Sequence, residues 1–258
     1  MFNLSCIPCI TSLLRSIALS TLLMAGQQLY ATPKESRGNF SMSLNAIYSG
    51  KRIYRGALIW DAPIALVMPG FTLFNVFGLG HGGLSFFKQL NQQHRLALGY
   101  SSFDDNRPSG PVWRIKDSEE DYKNLRAESS AIYLLYSYKN RPHFNFMVRI
   151  ERGVKAHQAL YLYSKISTSP LPFTTIGVAT GVGERDHNRY IYGDSAVSGL
   201  AHVDSFISAM LPFLPWQGRL ILNLSYSTVA KRINRDAEYI LSNKGESNFG
   251  AVASWSLF

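Results

Sequence analysis

The segment "FNFMVRIE", residues 144–151, alternates strictly between two kinds of side chain. One face carries Phe144, Phe146, Val148 and Ile150, and the opposite face carries Asn145, Met147, Arg149 and Glu151. A period of two residues is typical of a β-strand whose two faces meet different environments. The segment therefore predicts a strand with a covered apolar face and a charged face that meets water.

Four further segments alternate in the same way, at 40–48, 58–66, 96–100 and 220–226. Runs of about nine to eleven residues suit a tilted strand that crosses a bilayer, whereas soluble strands most often have about five or six. The apolar faces are rich in Tyr, Phe and Trp, as the aromatic girdles of a membrane barrel require. After residue 31 the sequence offers no run of about 18 apolar residues that could form a spanning helix. Together these features indicate a transmembrane β-barrel.

The alternating segments and the turn residues between them predict twelve strands. Their bounds are 38–49, 57–67, 71–78, 80–87, 93–103, 126–138, 142–151, 157–167, 173–182, 199–211, 217–229 and 247–258. The pair 71–78 and 80–87 alternates poorly and is dense in glycine, so ten strands are the alternative. Because lipid cannot satisfy the backbone groups of an open edge, the last strand must pair with the first. The predicted fold is all-β, a closed antiparallel barrel.

The connections between these strands alternate in length. Tight ones contain Pro or Gly and lie at 68–70 ("MPG"), 139–142 ("KNRP"), 169–172 ("SPLP") and 212–216 ("PFLPW"). Long polar ones lie at 104–125, 183–198 and 230–245. Short periplasmic turns and long outer loops are the plan of bacterial outer-membrane barrels. The sequence therefore predicts that both termini lie at the short-turn rim.

The chain ends on "NFGAVASWSLF", residues 248–258, with no charge after Glu246. Most chain ends are polar and fray, so an apolar end indicates a strand that belongs to the barrel wall. We expect the terminal Phe258 to act as the assembly signal of an outer-membrane protein, although Trp255 and Leu257 fall on the other face of the strand.

Residues 1–31 have the layout of a secretory signal peptide, with Arg15 before a short apolar run and Ala31 at the expected cleavage site. The run is too short for a membrane anchor. Removing the signal would remove both cysteines, Cys6 and Cys9, so the pair predicts neither a disulfide nor a metal site. Residues 32–258 would then form one barrel domain in the outer membrane of a Gram-negative cell, and would keep eight of the nine net positive charges.

The alternation also assigns candidate site residues. The residues expected to line the lumen are Asn39, Asn45, Asp61, Asn145, Arg149, Glu151 and Asn223. Two basic clusters fall on the predicted outer loops, where they could bind phosphate groups of outer-membrane lipid and lipopolysaccharide. These clusters are Lys51, Arg52 and Arg55, and Lys231, Arg232 and Arg235. An even alternative is that they form a solvated rim.

Motifs of catalysis are weak in this sequence. The segment Asp186-His187-Asn188, with His202 and Asp204, could form a hydrolase site at the rim, but "RDHNR" is more typical of a solvated loop. No Gly-x-Ser-x-Gly elbow or His-Glu-x-x-His motif is present. The pair Asp104-Asp105 lacks the spacing of a Ca²⁺ loop. We therefore expect no enzyme activity, no cofactor and no metal, and an exported barrel is not expected to bind nucleic acid despite its basic charge.

Several longer segments resemble the MltA-interacting protein (MipA)/OmpV family of outer-membrane proteins. They are "YRGALIWDAPIALVMPGFTLFNVFGLGHGG" at 54–83, "LALGYSSFDDNRPSG" at 96–110, "NRYIYGDSAVSGL" at 188–200 and "LNLSYSTVAKRI" at 222–233. The resemblance implies a non-enzymatic scaffold that links a murein lytic transglycosylase to a bifunctional peptidoglycan synthase. It transfers no catalytic residues.

Three functions therefore remain open. The first is the scaffold in peptidoglycan maintenance that the resemblance implies. The second is a channel for small solutes, which the polar face of the strands favours. The third and weakest is a hydrolase at the barrel rim.

Overall fold

A computed structural model of the chain describes most of the predicted barrel. The described residues are 40–60, 63–74, 76–80, 83–103, 129–140, 144–215, 218–234 and 245–257. The proposed signal peptide and its cleavage site, Asn39, Asp61, Arg235 and Phe258 lie outside these residues, and so does Asp104-Asp105. No helix among the described residues is long and apolar enough to span a membrane.

The chain forms a closed, twelve-stranded antiparallel barrel. Its strands are β1 (Phe40–Ser49), β4 (Ile64–Leu73), β5 (Phe77–Gly80), β6 (Gly83–Gln89), β7 (His94–Phe103), β8 (Ser129–Asn140), β9 (Phe144–Gly153), β10 (Leu160–Leu171), β11 (Thr174–Gly183), β12 (Gly199–Leu214), β13 (Gly218–Val229) and β14 (Glu246–Ser256). A separate hairpin consists of β2 (Arg52–Tyr54) and β3 (Ala57–Trp60). The described residues also contain two helices, α1 (Arg185–Tyr192) and α2 (Lys231–Asn234), in connections between strands.

The barrel closes between its first and last strands. β1 pairs with β4 on one side and with β14 on the other, where Tyr48 is opposite Ala251 and Leu44 is opposite Trp255. Beyond the last strand, the backbone N–H of Leu257 still donates to the carbonyl oxygen of Met42 at 2.9 Å. The prediction that the apolar chain end belongs to the wall is confirmed for the described residues.

The two faces of the wall have opposite chemistry. Outward positions expose large apolar side chains, such as Leu98 at 53% and Leu134 at 50% of their surface. Inward positions are buried although many are polar, such as Asn145, Lys165 and Ser227. In water this arrangement would expose a continuous apolar band, whereas in a bilayer lipid covers it and backbone groups are satisfied by the closed ladder. The architecture is that of an outer-membrane barrel.

The wall follows the predicted alternation except at the second and third predicted strands. The predicted strand at 71–78 is divided between β4, which ends at Leu73, and β5, which begins at Phe77. The sequence predicted a strand at 57–67 and a tight turn at 68–70, but β4 continues through Pro69 and Gly70, which pair with Leu44 and Ser43. Pro69 is tolerated because the pairing of β4 with β5 begins only at Phe71, so β4 has no β5 partner at Pro69. The segment 57–60 belongs instead to the short hairpin. Leu58, which was predicted to lie on the apolar face of the wall, is therefore not in the wall. In β4 the exposed outward residue is Val67.

Connection lengths separate the two ends of the barrel. At one end of the barrel, β4–β5, β6–β7, β8–β9, β10–β11 and β12–β13 follow one another along the chain after only two to four residues, and we call this end the short-turn rim. The other strand ends form the long-loop rim. There the strands are separated along the chain by residues 50–63, 81–82, 104–128, 154–159, 184–198 and 230–245. Twelve strands rather than ten are present because the glycine-dense segment does contribute β5 and β6.

Part of the lumen is filled by apolar side chains. Ala97, Tyr133, Leu135 and Met147 form a cluster on the inner wall of β7 to β9. Ile47 and Val252 form a second one, against which Ile221 packs. A barrel of this size leaves a narrow interior, and these clusters narrow it further.

Candidate functional site

The hairpin β2–β3 folds into the barrel at the long-loop rim. Its two turn residues, Arg55 and Gly56, both have positive φ, of 50° and 79°, as a type I′ hairpin requires. Ile53 is 2% exposed and Leu58 3%. A Cβ atom at Gly56 would lie only 2.5 Å from Cβ of His202 on β12. The hairpin tip therefore packs directly on the inner wall, where only glycine fits.

Arg55 at the tip belongs to a buried network of charges. Its Nη2 donates to Oε2 of Glu151 on β9 at 3.0 Å. The other carboxylate oxygen of Glu151 lies 3.1 Å from Nε of Arg149, whose Nη2 donates to Ser101 at 3.2 Å. The Arg149 guanidinium also stacks 3.8 Å above the ring of Tyr133. One carboxylate thus joins two guanidinium groups, one from the wall and one from the inserted hairpin.

A second layer of aromatic and imidazole groups lies beside this network. The Arg55 guanidinium is 3.6 Å from the ring centroid of Tyr161 on β10. The Tyr161 hydroxyl lies 2.6 Å from Nε2 of His202, and Nδ1 of His202 lies 3.0 Å from Oδ2 of Asp204. The ring of His187 stacks on the ring of Tyr161, with 4.5 Å between the two centroids.

Helix α1 also packs on the hairpin and helps to close the long-loop end of the lumen, which we call the long-loop mouth. Asp186 lies in its first turn, which suits the helix dipole, and Gly193 with a φ of 123° ends it. His187 contacts the Arg55 guanidinium. The Tyr192 hydroxyl donates to the carbonyl oxygen of Arg55 at 2.7 Å. Helix α1 and the hairpin β2–β3 together form what we call the plug.

The plug is held by its own buried polar groups as well. Asn188 is fully buried, and its Nδ2 donates to the carbonyl oxygens of Gly183 at 3.2 Å and Val197 at 2.7 Å. These bonds tie the helix to the end of β11 and to the segment that leads into β12. The expectation that "RDHNR" is a solvated loop is wrong, because the segment is helical and its His and Asn side chains are buried.

Two histidines of this region are held in their neutral form. Burial lowers the pKa of His187 well below its ordinary value, and the positive charge of Arg55 lowers it further. Burial and the same guanidinium lower the pKa of His157, in the connection before β10, although Glu151 and Asp186 oppose this effect. Neutral imidazoles are compatible with the packed arginine, whereas protonated ones would repel it.

A small cleft remains between the plug and the wall. It is lined by Arg55, Glu151, His157, Tyr161, His187 and Tyr190, among others. Neither buried imidazole is placed to activate a serine, because Nε2 of His187 contacts Arg55 and Nε2 of His202 contacts Tyr161. Of the residues of the hypothetical rim hydrolase, those that are buried belong to a packed, hydrogen-bonded seal: His187, Asn188, His202 and Asp204. Asp186 is exposed.

Towards the short-turn rim, the polar groups of the lumen include neutral amides and hydroxyls. Oγ of Ser208 donates to Oδ1 of Asn223 at 3.1 Å, and Nδ2 of Asn45 donates to Oγ of Ser43 at 3.4 Å. The amides and hydroxyls in this part of the lumen thus bond to one another. Nearer the plug, Lys165 lies 4.1 Å from the centroid of the Phe206 ring and level with Asp204, since both are opposite Ala179.

The structure brings most of the sequence-predicted lumen residues to the inner face. Those on the inner face are Asn45, Asn145, Arg149, Glu151 and Asn223. Among the described residues, no group of three or more His, Cys, Asp or Glu is arranged to hold a metal ion.

The basic clusters predicted to bind lipid phosphate are divided by the structure. Arg55 is wrongly assigned, because it is buried in the lumen and paired with Glu151. Nζ of Lys51 lies 2.9 Å from Oε2 of Glu246 and thus already has an anionic partner. Lys231 and Arg232 are exposed at the start of α2. The Arg52 side chain lies outside what the structure describes.

The sequence analysis did not predict the plug. The alternation from Leu58 to Leu66 runs across two elements, so that it predicted one long strand. Gly56 after Arg55, and Pro63 before β4, are the available signals of a hairpin and of a break. No local pattern indicates that a loop folds inward, because the partners of Arg55 lie about a hundred residues or more along the chain.

Comparison with known proteins adds the following. No family model and no curated protein matches the chain, so the MipA/OmpV resemblance stays a prediction. Among solved structures, a KdgM porin matches with a TM-score of 0.43 and 8% identity, over 84% of this chain and 99% of that one. OmpT of Vibrio cholerae, an outer membrane protein, matches at 0.35 and 8%, over 84% and 98%. OprD of Pseudomonas aeruginosa matches at 0.35 and 8%, over 85% and 66%.

Proposed function

We propose that this protein is a non-enzymatic outer-membrane channel for small polar solutes, closed in the described conformation by the plug. The observation that carries the proposal is the charge on the inner wall. Arg149, Glu151, Lys165 and Asp204 are buried inside the barrel on strands whose outer faces are apolar. A barrel that only anchored a partner would be as stable with apolar residues at these positions. Charged residues there favour a lumen that water and solutes can enter.

The way in which the plug is attached supports a reversible closure. The contacts described above between the hairpin tip and the wall are hydrogen bonds, ion pairs and ring contacts, and residues 32–258 contain no cysteine that could fix them covalently. Such contacts exchange readily for water when the hairpin moves outward. We therefore expect a mostly closed channel with brief openings.

Gly56→Val tests this directly. The variant places a branched side chain where the backbone has positive φ and where His202 and the carbonyl oxygen of Thr228 leave no room. Because strain of this kind costs about 1–3 kcal/mol, the open fraction should rise about tenfold or more. The measurement is single-channel conductance of the refolded protein in planar bilayers, compared with the parent.

Gly50→Ala is the matched control. A Cβ at Gly50, in the same connection, meets Phe249 and Asn248 at ordinary distances of 3.4 and 3.5 Å. Its conductance should equal that of the parent. If Gly56→Val refolds as a heat-modifiable barrel and still passes no current, the lumen does not conduct and the channel is excluded.

The scaffold that the family resemblance implies is the second candidate. It would bind a murein lytic transglycosylase and a peptidoglycan synthase, and it predicts no current from either variant. Crosslinking in intact envelopes followed by identification of the captured proteins tests it. We propose Lys231 and Arg232 for contacts with phosphate groups of lipopolysaccharide, because they are exposed in a connection at the long-loop rim.

A further inference from the structure

Two phenylalanines at the short-turn rim have a backbone conformation that phenylalanine rarely adopts. Phe74, between β4 and β5, has a φ of 52°, and Phe173, between β10 and β11, has a φ of 61°. For a bulky side chain a positive φ is strained, because Cβ comes too close to the following carbonyl oxygen. Both side chains are nonetheless exposed, Phe74 to 60% and Phe173 to 55% of its surface. Packing within the barrel therefore offsets little of this strain.

The positions of the two phenylalanines in their turns are ones that favour other residues. The backbone N–H of Val76 donates to the carbonyl oxygen of Leu73 at 3.1 Å, so Phe74 is the first central residue of that turn. A positive φ there is typical of the type I′ and II′ turns, in which Gly, Asn and Asp dominate. Phe173 follows Pro172 in a link of two residues, and a positive φ after Pro is typical of a type II turn, which favours Gly or Asn.

The link between β6 and β7, on the same rim, has the more usual composition. Its residues 91–93 are polar and exposed. Oδ1 of Asn91 accepts hydrogen bonds from the backbone N–H groups of Gln93 and His94, each at 2.9 Å. Residues 90–93 are all described, and none of them has a positive φ. A short turn of this barrel can thus be closed by polar residues without strain, so the fold does not require phenylalanine in the other two turns.

The two phenylalanines lie on opposite sides of the barrel. In the closed order of strands, four strands separate β5 from β10, and four separate β4 from β11. Whatever contacts both rings must therefore reach opposite sides of the short-turn rim.

Exposed apolar side chains connect both turns to the lipid-facing band of the wall. Directly opposed residues of a sheet share a face, and pairing across β5 and β6 puts Leu73 on the same face as the outward Leu98. On the other side of the barrel, exposed Ile176 is directly opposite exposed Ile207 on β12. The apolar outer band of the wall thus continues to the strand ends that carry the two phenylalanines.

We propose that Phe74 and Phe173 are paired membrane anchors, whose rings lie in the lipid leaflet on the short-turn side and fix the depth and tilt of the barrel. Lipid surrounds the barrel, so it reaches both sides of the rim and is continuous with the band that it already covers. Transfer of each ring from water into lipid offsets the backbone strain of its turn. Interfacial side chains of this kind limit how far a spanning element can tilt or shift. The inference holds for a channel and for a scaffold alike, and thus does not rest on the proposed function.

The first test measures where the two turn tips lie. In the cysteine-free background Cys6→Ser and Cys9→Ser, the variants Phe74→Cys, Phe173→Cys and Gln92→Cys each carry one nitroxide label. Each protein is refolded into vesicles of phosphatidylethanolamine and phosphatidylglycerol. Electron paramagnetic resonance then gives the collision rates of the label with oxygen, which concentrates in hydrocarbon, and with a water-soluble nickel chelate. We expect oxygen to be favoured at positions 74 and 173, and the nickel chelate at the control position 92.

The second test uses the opposing signs of strain and lipid contact. Asn adopts a positive φ more easily than Phe, so Phe74→Asn with Phe173→Asn relieves the strain and removes both rings. If the rings lie in lipid, the urea concentration at the unfolding midpoint in the same vesicles should fall. If the rings lie in water, it should rise. Phe74→Leu with Phe173→Leu keeps the strain and the apolar contact, and should have a midpoint close to that of the parent.

Three results would overturn the proposal. The first is a label at position 74 or 173 that meets the nickel chelate as often as the label at position 92. The second is a higher midpoint for the double Asn variant. The third is capture of one protein of defined mass when benzophenone maleimide on the same two cysteines is photolysed in intact envelopes, because the rings would then contact a protein partner. Should one cysteine variant fail to refold, the other still gives the comparison with position 92.

Discussion

At the long-loop mouth of the lumen, charged groups are buried and paired, whereas the half of the lumen next to the short-turn rim is lined by amides and hydroxyls. Glu151 joins Arg55 and Arg149 at 3.0 and 3.1 Å, and Lys51 joins Glu246 at 2.9 Å. In the other half, Ser208 donates to Asn223 and Asn45 donates to Ser43. The two halves of one wall thus carry different polar chemistry.

The difference shows how the barrel can concentrate its closure in one half of the lumen. A paired, desolvated network gains stability only while every partner is in place, so that the seal is specific and cooperative. A hydrogen bond between neutral groups contributes less, because water can replace it where water has access. We therefore expect the effects of substitutions in the two halves to differ both in size and in kind.

Glu151→Ala should show the largest effect. It would leave the guanidinium groups of Arg55 and Arg149 buried without their carboxylate, which costs about 3–5 kcal/mol of the unfolding free energy. Folding titrations in lipid vesicles with urea measure the change. The triple variant with Arg55→Met and Arg149→Met should recover most of the loss, since it removes the unpaired charges. A loss below about 1 kcal/mol would mean that the network does not hold the seal.

The sequence predicted features that depend on neighbouring residues, and it missed features that depend on residues far apart in the chain. The period of two placed Arg149 on the inner face and Ile150 on the outer one, because lipid imposes that pattern on each strand separately. The apolar chain end predicted closure of the barrel for the same reason. The plug depends instead on contacts such as Arg55 with Glu151 and Tyr192 with Arg55, which join distant segments.

One sequence error illustrates this limit. Residues 57–67 keep a period of two although they belong to a hairpin and to a wall strand, since both elements are extended. The period reports extended backbone and cannot distinguish a strand of the wall from a strand inside it. Pro63, which disfavours continuous pairing, was the better guide to the boundary.

Acid should weaken the long-loop mouth more than the half of the lumen next to the short-turn rim. The pKa of His187 and that of His157 are lowered by burial and by Arg55, so the unfolded chain binds protons first as the pH falls. The unfolding free energy should therefore be constant above about pH 7 and decrease below about pH 6.5, for His187 by no more than about 1.4 kcal/mol per pH unit. Asp186 and Glu151 face His157 and reduce its share, whereas His157 and His202 add to the repulsion on His187.

Urea titrations between pH 7.5 and 5 measure this dependence, and channel opening should increase over the same range. His187→Gln should flatten the slope below pH 6.5. An equal slope in the parent and in His187→Gln would place the acid sensitivity elsewhere.

Asn223→Ala should have the smallest effect on the unfolding free energy, and it tests the half of the lumen next to the short-turn rim. Asn223 lies in the half of the lumen next to the short-turn rim, and its Oδ1 accepts a hydrogen bond from Ser208 at 3.1 Å. Because water in an open lumen can replace that bond, we expect a loss of about 0.5–1.5 kcal/mol in the same lipid titration. Asn188→Ala, in the sealed half, removes two hydrogen bonds from a fully buried amide, so it should cost at least twice as much. Equal losses would mean that the two halves of the lumen are equally dry, and the division into a sealed half and a wetter half would be wrong.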